Sequence, residues 1–262
     1  MENFKRIEQK PTAKISLPQA EAVISLYKEK FEDNPERIEK LKEIFDVFLE
    51  QSLTNSDVYS SKELKASFPW TVVRLQDIAK KLFKKNYKGD QVFNIENTDE
   101  EITKNKKLEF IFGSAFAYSH GDAFAFTEEA MHQIIKRLPS AIKALQQGLE
   151  PEDFEVFTLG MPTNTFGEIS TDFSDNLKKD SYEYMGRLYS EFVTEKTASE
   201  KDVKQNIKFY GISMGGGFAA KTGEKLLENK VVTQESENVD GVSVENKPYL
   251  QIQSMVPVSM GL

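Results

Sequence analysis

The pentapeptide Gly211-Ile212-Ser213-Met214-Gly215 has the form G-x-S-x-G and stands where the pattern of the chain changes from strand to helix. Residues 206–210, Asn-Ile-Lys-Phe-Tyr, read as a buried strand, and residues 216–227 read as a helix with a small-residue start. A strand that turns into a helix over so few residues leaves little freedom. The backbone at the serine is expected to be strained, with its hydroxyl pushed clear of the sheet. Glycines two before and two after let the strand and the helix pass close to it without Cβ clashes. The start of a helix also aims free N–H groups and the positive end of a dipole at that position.

The surrounding chain fits such a junction. From Leu108 on, predicted strands and helices alternate, which is the signature of a largely parallel sheet. Residues 108–112 (Leu-Glu-Phe-Ile-Phe) read as a strand ending at Gly113-Ser114-Ala115. A loop with His120, Gly121 and Asp122 follows. Thr127 opens a helix that runs towards Leu145 and stops at Gly148, with Pro139 expected to kink or divide it. Residues 154–159 form the next strand, 182–193 a helix, and 249–258 a last strand. Between them lie polar or Pro- and Gly-punctuated stretches at 161–167 and 231–247. Residues 91–96 read as a short strand before a charged loop at 97–107.

Residues 1–90 read differently, as an all-helical extension. A helix is expected over 18–31. Asn34-Pro35 signals the start of another, in which Ile38, Leu41, Ile44, Phe45, Phe48 and Leu49 recur at helical spacing. A third is expected from Pro69 to Lys85. The fold class is therefore α/β, a mostly parallel sheet with flanking helices over 91–262, preceded by the helical segment 1–90.

Composition excludes several chemistries. The chain of 262 residues has no cysteine, so disulfides, thiolate catalysis and Cys-ligated zinc are ruled out. A net charge of −8 speaks against a nucleic-acid partner, which would call for a basic stripe. No apolar run approaches the length of a membrane span, and no apolar stretch follows the N-terminus as a signal peptide requires. A cytoplasmic protein is the expectation. No cofactor or metal site is legible: Gly215-Gly216-Gly217 lacks the Lys-Ser/Thr of a phosphate-binding loop, and His120 and His132 lack a paired-carboxylate pattern.

From Leu108 onward the chain resembles the first half of an α/β-hydrolase domain. Phe112-Gly113-Ser114 is similar to the strand end whose following N–H serves the oxyanion hole. Met161-Pro162 and Phe166-Gly167-Glu168-Ile169-Ser170 are similar to a stretched form of the Pro/Gly loop after the next strand. Gly211–Gly215 is similar to the nucleophile elbow, and Met255-Val256-Pro257-Val258 to the apolar-Pro segment after it. The resemblance implies a serine hydrolase acting on an ester, amide or thioester carbonyl of a small molecule. Ser213 would form the acyl-enzyme, and the N–H groups of Met214 and Ser114 would hold the oxyanion. An alternative register uses His120-Gly121, with the N–H of Asp122 as donor. His120 and Asp122 are otherwise candidates for lining the pocket, and His132 for a structural role. An acyltransferase on the same scaffold and a non-catalytic binding protein are the alternative functions.

The family places its acid and its histidine after the elbow serine. Here both histidines precede Ser213. The expectation is a C-terminally truncated hydrolase whose acid and base lie beyond Leu262 or on another chain, and which is inactive by itself.

Overall fold

The computed structural model describes residues 35–64, 66–85, 106–112, 127–160, 171–198, 205–212, 214–232 and 249–255. In chain order its elements are α1 (Pro35–Thr54), β1 (Ser56–Ser61), β2 (Ala66–Arg74), α2 (Leu75–Lys84), β3 (Lys106–Phe112), α3 (Thr127–Gln146), β4 (Phe154–Leu159), α4 (Thr171–Ala198), β5 (Gln205–Ile212), α5 (Met214–Glu228) and β6 (Tyr249–Met255).

The strands form one six-stranded mixed sheet in the order β1-β2-β4-β3-β5-β6. β1 pairs antiparallel with β2, and β2 antiparallel with β4. The pairs β4–β3, β3–β5 and β5–β6 are parallel. Helices flank the sheet, so the class is α/β. Right-handed crossovers fix which face each helix takes. The step from β3 to β4 runs one way across the sheet, and those from β4 to β5 and β5 to β6 run the other. This puts α3 on one face and α4 and α5 on the opposite one. The helix contacts agree, since α4 packs along α5 while α2 packs against α3 and α1.

The expected all-helical segment 1–90 is corrected here. Residues 18–31 and 91–96 lie outside the described residues, and α1 begins at Pro35 as its start signal predicts. Residues 56–74, however, are two strands, and β2 pairs with β4 inside the main sheet. Its core residues Phe68, Val72 and Val73 belong to the same buried cluster as those of β3 to β5. The helix expected from Pro69 starts only at Leu75. Thr71, Val72 and Val73 are consecutive β-branched residues, stiff at χ1 and better suited to a pleated surface. Arg74 is still extended, at φ −110 and ψ 125.

Pro69 sits in a strand because its missing N–H is replaced. It stands opposite Gly160, whose N–H donates to the Pro69 carbonyl at 2.8 Å. The reciprocal bond, to the Gly160 carbonyl, is one that proline cannot make. The Tyr189 hydroxyl from α4 donates to that carbonyl instead, at 2.9 Å. A Cβ on Gly160 would come within 2.7 Å of the Pro69 ring, so the pair needs glycine there.

The face covered by α4 is aromatic. Phe110 and Phe157 stack at 4.9 Å, and Phe192 meets both edge-on. Tyr189 packs edge-on against Phe68 and Phe112. Such pairs are worth about 0.5–1.5 kcal/mol each beyond area burial. On the other face, Leu75, Ile78, Ala79 and Leu82 of α2 and Ile134, Ile135, Leu138 and Ile142 of α3 are buried. α3 runs through Pro139 as one helix instead of dividing there.

Charges concentrate at the amino ends of β3 and β4. Glu155 accepts from Arg74 Nε at 2.7 Å and faces Lys106 Nζ at 3.6 Å. Glu109, only 3% exposed, is met by Arg137 at 3.3 Å, and the Arg137 guanidinium lies 4.1 Å above the Phe154 ring. Among the described residues, no helix is long and apolar enough to cross a membrane.

Candidate active site at the carboxyl edge of the sheet

β3 and β5 lie side by side, in register at Phe112 and Gly211. Past their carboxyl ends the chain leaves β3 for α3 on one face and β5 for α5 on the other. Divergence of two neighbouring connections opens a crevice at the edge of an α/β sheet, where ligands bind. Ser213 lies outside the described residues; in the chain it falls between Ile212, the last residue of β5, and Met214, the first of α5. The strand and helix expected around it are both present, and the helix starts two residues earlier than its pattern suggested.

The turn between them is tight. A Cβ on Gly211 would lie 2.5 Å from the Gly215 carbonyl oxygen and 2.5 Å from the Gly216 nitrogen. The first turn of α5 thus rests on Gly211, the last residue but one of β5, backbone against backbone. Glycine in a helix costs about 1 kcal/mol relative to alanine. Gly215, Gly216 and Gly217 stand in succession all the same, and the Tyr182 ring leaves no room for a Cβ at the third. The N–H groups of this first turn have no partners within the helix.

Ser213, Ser114, His120 and Asp122 lie outside the described residues, as does the side chain of Met214. Their positions in the chain are nonetheless bounded. Ser114 comes two residues after Phe112, and Ser213 two residues after its register partner Gly211. His120 and Asp122 fall in the connection from β3 to α3, which starts at the same edge. His132 is half-buried on α3 with a partner of its own. The loop at 161–167 and the segment after Met255 also lie outside the described residues. Among the described residues, no group of three or more His, Asp or Glu side chains could hold a metal ion.

The other side of this edge is built by α4, which begins at Thr171 rather than near Tyr182. Two points set its register along α5. Tyr182 lies on Gly217, where an added Cβ would come 2.6 Å from the ring carbon Cδ1. Gly186 lies on Lys221, 2.7 Å from its Cβ by the same measure. Glu183 bonds Lys225 at 2.6 Å and faces Lys221 at 3.9 Å. Hydrogen bonds to Glu183 and then to Glu228 raise the Lys225 ammonium above its usual range. With this register α4 continues about eight residues past the start of α5, roughly 12 Å at 1.5 Å per residue. Tyr189 closes the edge of β4 from below. Its phenol is fully buried, and burial holds it protonated far above the ordinary tyrosine range.

The packing of Tyr182, Gly186 and Tyr189 was not legible in the sequence. A signal existed, since Tyr182, Met185, Tyr189 and Phe192 recur at spacings that share a helix face. No protein-family model, curated protein or solved structure matches this chain.

Proposed function

We propose that the chain carries the nucleophile of an α/β-hydrolase-type serine hydrolase, with Ser213 attacking an ester, amide or thioester carbonyl. The observation that carries this reading is the contact of Gly211 with Gly215 and Gly216, which leaves only Ile212, Ser213 and Met214 between the touching residues of strand and helix. A serine confined to such a turn at the switch point of the sheet fits a nucleophile elbow. In this reading β3 to β6 are the parallel part of the hydrolase core, and β1 and β2 belong to it too.

The chemistry follows from the elbow. A serine hydroxyl is a weak nucleophile at neutral pH and gives its proton to a base as it attacks. The carbonyl oxygen becomes an oxyanion, held by the N–H of Met214 at the start of α5 and by the N–H of Ser114. Each such donor is worth about 3 kcal/mol of barrier. The alcohol, amine or thiol then leaves with a proton, and water attacks the acyl-serine to restore the hydroxyl.

One sequence fact favours a second reading, a binding protein on the same scaffold: neither histidine follows Ser213. A fluorophosphonate probe applied to the complete product of the gene separates the two. Covalent labelling that disappears in Ser213→Ala supports the hydrolase. A folded protein that takes up no probe supports the binding protein. Labelling that survives His120→Ala places the base elsewhere than in the β3–α3 connection.

A further inference from the structure

We draw no further inference here: the strongest candidate, the outer edge of the sheet at β1, where Val58 is exposed and its N–H is taken by the Asp57 carboxylate at 2.8 Å, carries none, because nothing in the structure shows what covers it.

Discussion

Replacing Gly211 by alanine puts a methyl carbon 2.5 Å from the Gly215 carbonyl oxygen and equally close to the Gly216 nitrogen. Ordinary contact begins near 3.4 Å, so β5 and α5 must part by about 1 Å, and neither can do so cheaply. β5 is held on both sides, by β3 and β6. α5 is held by the aromatic face through Phe218 and by α4 through Gly186 and Gly217. Both colliding groups are backbone, so no side chain can swing aside. Overpacking of this kind costs about 1–3 kcal/mol. The same shift moves the residue between strand and helix by a distance that, in a reacting group, costs about a hundredfold in rate. Urea unfolding monitored at Trp70 gives the first quantity, and fluorophosphonate labelling of Ser213 gives the second. Gly148→Ala is the control. A Cβ there meets nothing, but the backbone is left-handed at φ 72, so it is expected to cost about 1–2 kcal/mol by conformation alone and to leave labelling at the parent rate. A Gly211→Ala protein as stable as its parent and labelled as fast would refute the tight-turn argument.

Two further outcomes are expected. Tyr189→Phe removes the donor that proline at position 69 cannot supply to the Gly160 carbonyl, leaving a buried acceptor unpaired at a cost of about 1–3 kcal/mol; a change in denaturation midpoint below the resolution of the measurement would contradict this. Burial first, then the nearby charges of Glu191 and Glu195, push the Tyr59 phenol up to about 12 from 10.0. The unfolded chain therefore loses this proton before the folded one does. The stability linked to Tyr59 is complete below pH 10 and is lost as pH rises through 12. Tyr59→Phe should decline less steeply than its parent over that interval, and parallel stability curves would count against the assignment.

How legible each part was depended on whether its signal is local. β3, β4 and β5 are apolar runs bounded by polar or glycine-rich stretches, and the sequence marks each to within two residues. β1 carries little apolar content in Ser-Asp-Val-Tyr-Ser-Ser. It becomes a strand through its pairing with β2, where Tyr59 stands opposite Phe68. β2 was hidden by Pro69, which reads as a helix start until Tyr189, more than a hundred residues later, is seen replacing its hydrogen bond. The first turns of α4, Thr-Asp-Phe-Ser-Asp-Asn, are rich in residues that favour caps and turns over helix interiors, so only its apolar half was visible. Ser213 was marked as a strand-to-helix turn by a change of period within ten residues. The strand order around it was not, because β3 lies between β4 and β5 for reasons of long-range pairing that no window of sequence contains.

The two ends of the sheet are held together by different means, and the difference bears on where chemistry can occur. At the amino ends of β3 and β4 the contacts are ion pairs: Arg74 with Glu155, Lys107 with Glu152, Arg137 with Glu109. Charged side chains of this length adjust by rotamer changes when their surroundings shift. At the carboxyl edge the contacts are made at glycines where no Cβ fits: Gly160 on Pro69, Gly211 on Gly215 and Gly216, Gly217 on Tyr182. Where both sides are backbone, as at Gly211 on Gly215 and Gly216, no rotamer can absorb a displacement. A nucleophile and its oxyanion donors need that kind of placement, since donors act only when they already point at the position the charge will take. The glycines weaken α5 by about 1 kcal/mol each, and they gather where the chain turns at Ser213.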